Sequence, residues 1–258
     1  MINARKTIMT ITRKLAAVLF LSSSVLGLAH ADTIRMATEG AYAPFNFMDN
    51  AGKPQGFDVD IAKALCAEMK ADCEIVTQDW DGIIPGLMAH KYDAIIASMS
   101  ITPERQKAVS FTDPYYSNVL AYVAPKDEAF PIAKADLEGK TLGAQRATIA
   151  GQYLEDHLGD VANIKLYDTQ DNAYLDLASG RLDGLLSDKF PAYDWLKTDE
   201  GQGFEFKGDD IDIDDKIGIA VRKQDNALRE RLNKALSEIV ANGTYAEINA
   251  KYFPFSIY

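Results

Sequence analysis

The sequence predicts an α/β fold built as two lobes, each a mostly parallel sheet flanked by helices. Three observations carry this. Short apolar runs that read as strands alternate with amphipathic helical stretches from Thr33 to Asp188, the pattern of a parallel sheet with helices on its faces. A helix–turn–strand unit recurs: Leu87-Met-Ala-His-Lys-Tyr-Asp93-Ala-Ile-Ile-Ala-Ser98 aligns with Leu177-Ala-Ser-Gly-Arg-Leu-Asp183-Gly-Leu-Leu-Ser-Asp188. Chance likeness between two such units is the alternative. Two strand-like segments, Asn118 to Ala124 and Lys216 to Val221, would cross between the lobes as a hinge, with no low-complexity linker beside them.

The first 31 residues read as a signal peptide. Arg5, Lys6, Arg13 and Lys14 form a basic start, Leu15 to Leu28 is apolar but short for a bilayer, and Ala29-His30-Ala31 is a small-x-small cleavage site. Cleavage after Ala31 removes four basic and no acidic residues and takes the net charge from −11 to −15. Such a charge argues against a nucleic-acid partner and favours the approach of cations. The expected division is 32–119 with 217–258 for one lobe and 120–216 for the other.

Taken in order, Thr33 to Thr38 is the first strand and Glu39 to Phe45 a loop. Gly56 leads into a helix whose Ile61, Leu65 and Met69 share a buried face. Cys66 and Cys73 are the two cysteines, and in an exported chain they are expected to pair. Seven residues of unbroken helix would hold their Cα atoms about 10 Å apart, beyond the roughly 4.4–6.8 Å of a disulfide. The helix must therefore end near Lys70, before a strand at Cys73 to Thr77. Asp79 to Gly82 reads as a loop and is followed by a helix through Leu87. Ala94 to Ala97 is a strand buried on both faces.

Thr102-Pro103 then caps a helix. The hydroxyls of Ser98 and Ser100 and the helix amides thus meet where a strand ends and a helix begins, a favourable place for an anion. Arg105 sits in that first turn. A cation there opposes the helix dipole by up to about 1 kcal/mol, which an anion facing it would offset; pairing with Glu104 or solvent is the alternative.

In the second half, Lys140 to Gln145 and Ile164 to Tyr167 read as strands. Thr148 and Asp171 read as helix caps, and Leu182 to Ser187 as a strand ending at Asp188. Asp209 to Asp215 reads as a solvated acidic loop. Leu228, Leu232, Ala235, Leu236 and Ile239 share a helical face, Asn242-Gly243 stops that helix, and Thr244-x-x-Glu247 reads as a capping box.

Ligands in such sheets bind beyond the carboxyl ends of the strands. Glu39, Tyr42, Trp80, Ser98 and Ser100 all follow strands, and Asp188 ends one, where an unpartnered carboxylate is costly. His90 and His157 read as helix-surface residues, so neither a metal nor another cofactor is expected.

The ordered motifs Ala41-Tyr-Ala-Pro-Phe45, Gly56-Phe-Asp-Val-Asp60, Trp80-Asp-Gly-Ile-Ile-Pro85, Ala94 to Thr102, Arg105, Phe111-Thr-Asp-Pro-Tyr-Tyr116, Gly180-Arg-Leu-Asp183 and Asn242-Gly-Thr-Tyr245 resemble one family. It is the periplasmic solute-binding proteins for polar amino acids, the receptor components of ABC importers, and the likeness spans the whole mature chain. It implies the two-lobed type II periplasmic binding protein fold, a periplasmic monomer, a small-molecule ligand and an inner-membrane permease/ATPase partner. The cysteine pair is similar to that of the lysine/arginine/ornithine and histidine receptors. Gly143-Ala-Gln-Arg-Ala-Thr148 is most similar to arginine/ornithine receptors. The implied ligand is a cationic L-amino acid, arginine or ornithine ahead of lysine or histidine.

The resemblance also implies roles. Arg105 clamps the α-carboxylate with the amides of Ser100 and Thr148, as a guanidinium fork suits a carboxylate. Asp188 takes the α-ammonium with the Ser100 hydroxyl and the Ser98 carbonyl. Tyr42 and Trp80 sandwich the side chain, Glu39 meets its distal charge, and Met99 belongs to the same strand end. Ala97 and Ala147 stand where lysine/arginine/ornithine receptors carry Ser, and Ile149 where they carry Gln. An opine of the nopaline or octopine type, or glutamine, is therefore the alternative ligand. The rival of another class is a periplasmic cyclohexadienyl or prephenate-type dehydratase of the same architecture, with Glu39 or Asp188 as general acid. An acid facing the side chain fits a cationic ligand better than a dianionic substrate, so a binder rather than an enzyme is expected.

Overall fold

A computed structural model describes residues 33–131 and 133–258; the leader and its cleavage site lie outside them. The described residues form two five-stranded sheets, one per lobe, and a small three-stranded sheet. The first lobe contains β1 (Ile34–Thr38), the short strands β2 (Ala41–Tyr42), β3 (Asn46–Met48) and β4 (Pro54–Gln55), then α1 (Phe57–Glu68), β5 (Cys73–Thr77), α2 (Trp80–Met88), β6 (Ala94–Ile95), α3 (Pro103–Ala108) and β7 (Val109–Phe111). β8 (Tyr116–Pro125) crosses over. The second lobe holds β9 (Thr141–Gln145), α4 (Ile149–Leu158), β10 (Asn163–Tyr167), α5 (Gln170–Ala178), β11 (Gly184–Asp188) and α6 (Lys189–Trp195). β12 (Phe204–Ile217) crosses back, and β13 (Ala220–Arg222), α7 (Asn226–Ala241) and α8 (Thr244–Tyr252) close the first lobe.

The first sheet runs β5-β1-β6-β13-β7 and the second β10-β9-β11-β8-β12. β1 lies parallel to β5 and β6, and β9 parallel to β10 and β11, while the strands after each crossing pair antiparallel. Each sheet buries apolar side chains on both faces. Met36, Ile61, Leu65, Leu232 and Leu236 pack on one side of the first and Ile83, Leu87 and Ile95 on the other. Leu142, Leu154 and Leu186, and then Tyr174, Leu177 and Leu185, do the same for the second. β8 and β12 join the lobes: Tyr116 and Ile217 pack in the first core, and Leu120 and Tyr122 in the second.

The sequence repeat has a geometric counterpart. Asp93 N–H donates to Arg35 O at 2.8 Å and its carboxylate accepts from Arg35 N–H at 2.9 Å. Asp183 repeats both bonds with Thr141, each at 2.8 Å. The shared aspartate thus clips each incoming strand to its neighbour, and each turn before it bends through a positive φ, at His90 and Gly180. The Cys66–Cys73 disulfide forms with Cα atoms 6.1 Å apart, where the chain leaves α1 and reverses through Lys70 at φ 50°.

Five local expectations are corrected. Asp79 to Gly82 is not a loop: α2 begins at Trp80, because Trp80, Ile83 and Leu87 bury one face and packing outweighs the polar composition. The cap of α5 is Thr169, whose hydroxyl accepts from Asn172 N–H at 3.2 Å, and Asp171 lies in the first turn. Thr244 does not form a capping box: Gly243, in the left-handed region at φ 87°, precedes α8, and the Asn242 side chain accepts the Thr244 N–H at 3.0 Å. The acidic run Asp209–Asp215 lies within β12, bulged against β8, with most carboxylates exposed along a sheet edge, a charge pattern that discourages further pairing. Loop Glu39 to Phe45 contains β2 and a cis Ala43–Pro44 bond. Its docking onto α1 requires glycine at Gly56 (φ 121°), where a Cβ would lie 2.3 Å from Phe45 O.

Candidate functional site

The cleft between the lobes is nearly shut, with a cavity volume of about 10 Å³. Eight of the nine predicted residues line it: Glu39, Tyr42, Trp80, Ser98, Ser100, Arg105, Thr148 and Asp188. Met99 does not. Its side chain is fully buried among Ile83, Val109 and Phe111. Where the chain pairs with β12, alternation turns Ser100 to the cleft and Met99 to the core, while Ser98, at φ 51°, reaches the cleft from a bend.

Ser100 stands opposite Ile217, flanked by Ile101 N–H to Lys216 O at 2.7 Å and Gly218 N–H to Met99 O at 3.1 Å. In that antiparallel position its own amide and carbonyl face away from the partner strand, toward the cleft. Its carbonyl accepts Arg105 Nη1 at 2.9 Å. Thr102 Oγ1 accepts Arg105 N–H at 3.2 Å, which fixes the first turn of α3. Arg105 Nη2 donates to Ala147 O at 2.9 Å, and the guanidinium lies 5.2 Å from the Trp80 ring centroid. Burial lowers the Arg105 pKa, and Asp215 and Asp188 oppose that shift.

Asp188, at the end of β11, accepts the Tyr42 hydroxyl at 2.6 Å across the lobes. Burial raises its pKa and Asp215 adds to the rise, while Tyr42, Asn118 and Arg105 oppose it. Thr148 caps α4 by accepting Gly151 N–H at 3.1 Å, so the positive end of that helix faces the cleft. A second polar centre is Glu39, only 8% exposed, which accepts Gln145 Nε2 at 2.7 Å. Burial raises its pKa to about 7 against that hydrogen bond, with Asp171, Asp79 and Asp81 adding to the rise. The cleft thus presents a guanidinium, a carboxyl group of the opposite lobe, and a separate acidic centre.

Several of the site's groups were missed. Gln145 ends β9 as Asp188 ends β11, and the strand-end rule applied to every strand would have found it. Asp215 was hidden in the acidic run; it is buried and accepts Asn118 Nδ2 at 3.1 Å. Asp58 lies beneath the site, its carboxylate accepting Tyr115 OH at 2.6 Å, Asn46 Nδ2 at 2.9 Å and Ser98 Oγ at 3.0 Å. Burial raises its pKa to about 6 against those bonds. Asn46 in turn accepts Gly40 N–H at 2.8 Å, so Asp58 ties the Glu39 loop to the Ser98 strand end.

Residues 34–255 match the model of the bacterial extracellular solute-binding proteins, family 3. The chain belongs to this family. It is 40% identical over 244 residues to the ABC transporter arginine-binding protein 1 of Escherichia coli (strain K12), covering 94% of this chain and 99% of that one. It is 40% identical over 255 residues to the L-arginine-binding protein of Pseudomonas aeruginosa, covering 95% and 98%. Its fold is similar to the structure of an ancestral arginine-binding protein bound to arginine, with a TM-score of 0.81 at 37% identity over 86% of this chain and 98% of that one. These relatives are binding proteins. In this solute-binding protein Ala97 and Ile149 line the cleft with apolar surface. Ala147, at φ 55°, presents its carbonyl to Arg105 and to Trp80 Nε1.

Proposed function

We propose that the chain is a periplasmic receptor that takes a cationic L-amino acid into the interlobe cleft and delivers it to an inner-membrane ABC importer. Arginine or ornithine is the preferred ligand, ahead of lysine or histidine. One observation carries the reading: the cleft offers complementary charges to three groups. Arg105, with the amides of Ser100 and Thr148, suits an α-carboxylate. Asp188, with the Ser100 hydroxyl and Ser98 carbonyl, suits an α-ammonium. Glu39, oriented by Gln145, suits a distal cation, with the Tyr42 and Trp80 rings against the aliphatic stem. Arg105 and Glu39 come from one lobe and Asp188, Gln145 and Thr148 from the other, so the ligand touches all of them only when the lobes are shut, and binding shifts the population toward closure.

The lobes divide at 119/120 and 216/217, with β8 and β12 as the hinge. The protein acts as a monomer, exported by a leader cut after Ala31, which N-terminal sequencing of the periplasmic fraction would read. It is not an enzyme: incubation with prephenate should release no phenylpyruvate. Calorimetry with arginine, ornithine, lysine, histidine, glutamine, nopaline and octopine tests the ligand. Arginine or ornithine should bind most tightly. A preference for nopaline or octopine would move the ligand to the opines, and binding of none would reject the proposal.

A further inference from the structure

Asp58 is fully buried in the first turn of α1, and the side chains that donate to it are neutral. The Tyr115 hydroxyl meets one carboxylate oxygen; the Asn46 amide and the Ser98 hydroxyl share the other. A buried carboxylate without a cation costs stability that an apolar side chain of similar size would not. A group kept at that cost is expected to hold its partners in place.

Those partners lead to two parts of the cleft. Asn46 turns its Oδ1 to the Gly40 amide, which leaves its Nδ2 for Asp58, and Gly40 follows Glu39 at φ 87°. The far end of the same loop is held by α1, where the Phe57 and Asp58 amides donate to Pro44 O at 3.0 Å and Phe45 O at 2.8 Å. Ser98 is the second branch. Its φ of 51° is costly for a residue with a Cβ and persists only where the surroundings hold it. Its hydroxyl is spent on Asp58, so its carbonyl is what it offers a ligand. Tyr115 anchors the junction: its amide donates to Ile217 O at 2.9 Å and its carbonyl accepts the Tyr245 hydroxyl at 2.6 Å.

We propose that Asp58 is a positioning residue of the cleft, which never touches the ligand but fixes the Glu39 loop and the Ser98 bend relative to each other. The group that reads the ligand's side chain and the carbonyl that meets its α-ammonium are then spaced by one carboxylate oxygen. The proposal rests on the reading of the cleft as an amino-acid site.

The test is calorimetry of arginine with folded, exported protein. Asp58→Ala should weaken arginine by about ten- to a hundredfold, the scale of hydrogen bonds to a charged group. Ser98→Ala and Asn46→Ala should each weaken it less, and neither should add more than about twofold in the Asp58→Ala background, because both act through the same group. Asp58→Asn should recover most of the loss, since its oxygen can still serve Asn46 and Ser98 while its amide turns to the Tyr115 hydroxyl. Unchanged affinity in Asp58→Ala, additive losses in the double variants, or an Asn variant as weak as the Ala variant overturns the proposal. If Asp58→Ala does not fold, Asn46→Ala combined with Ser98→Ala removes both links, and unchanged affinity there overturns it. A second readout needs no ligand. Exchange of the Gly40 amide, measured against the amides of β11, should speed up in Asp58→Ala and in Asn46→Ala but not in Ser98→Ala. Should arginine fail to bind the unaltered protein, the cleft reading fails by itself, and unchanged Gly40 exchange in both variants is what would overturn the junction.

Discussion

Arg105 is held by a helix cap, two carbonyls and an aromatic face, and it lies near two acids of which sequence reasoning named one. Asp188 was legible because a carboxylate ending an apolar strand needs a partner. Asp215 was not, because four other aspartates in the run Asp209–Asp215 gave no sign that one turns inward. Met99 was misplaced for a simpler reason: neighbours along extended chain face opposite ways, so including Ser100 argues against including Met99. Two predictions belong at this scale. Arg105→Ala should weaken arginine binding by about 3–5 kcal/mol, the cost of stripping one partner from a buried charge constellation, read by calorimetry on folded protein. Unchanged affinity would remove Arg105 from the site. Glu39→Gln should cost arginine about 1.5–3 kcal/mol, the range for a hydrogen bond to a charged group, and narrow the gap between arginine and glutamine. A uniform loss for both ligands would mean that Glu39 shapes the loop rather than reading the side chain.

At the scale of elements, alternation of strands and helices was readable wherever an element was amphipathic or fully apolar. It failed where packing overrode composition. α2 starts with a Trp-Asp-Gly sequence that looks like a turn, yet the Trp80 face is buried at helical spacing. β12 is so acidic that only its pairing with β8 reveals it as a strand. The end of α1 shows the opposite case, since the geometry of a disulfide demanded a break near Lys70 and the chain reverses there. That staple joins the ends of α1 and β5 remote from the cleft, which lies past the other ends of the strands. Replacing Cys66 and Cys73 by serine should therefore lower stability by about 2–3 kcal/mol in the chain-entropy account. In a chain of this size that lowers the melting temperature by roughly 4–12 °C. Arginine affinity should stay within about twofold, and a larger loss would show that the strand order on which the site rests depends on the staple.

Over the whole molecule, the contacts that shut the cleft use the groups that would hold a ligand. Tyr42 meets Asp188, Gln145 meets Glu39, and Trp80 and Arg105 share Ala147 O, while Arg146 lies 3.5 Å from Asp81 at the margin. The repeat in the sequence foretold two lobes with facing strand ends; these reciprocal contacts lie beyond any sequence pattern because each depends on the lobes meeting. They carry a pH dependence with a definite sign. Burial raises Glu39 to about 7, from 4.5, and Asp58 to about 6, from 3.8, and it raises Asp188 as well. A carboxyl group raised in the fold stabilises most below its unfolded pKa, and that contribution is lost as pH climbs through the folded value. Asp183 has the opposite sign: burial pushes it up, but the Thr141 amide and Lys140 pull it lower overall, so its contribution is lost in stronger acid. Without added amino acid the protein should therefore melt at a higher temperature at pH 5 than at pH 8, and weaken again below about pH 4. A bound cation needs Glu39 and Asp188 ionised, so arginine should release protons on binding near pH 6. Its added thermal stabilisation should be larger at pH 8 than at pH 5, because the ligand favours the charged forms that burial disfavours. Melting curves at the two pH values, with and without arginine, read both signs at once. A ligand increment that shrank toward pH 8 would mean that Glu39 and Asp188 meet the ligand as neutral acids, and the pairing of charges proposed for the cleft would have to be abandoned.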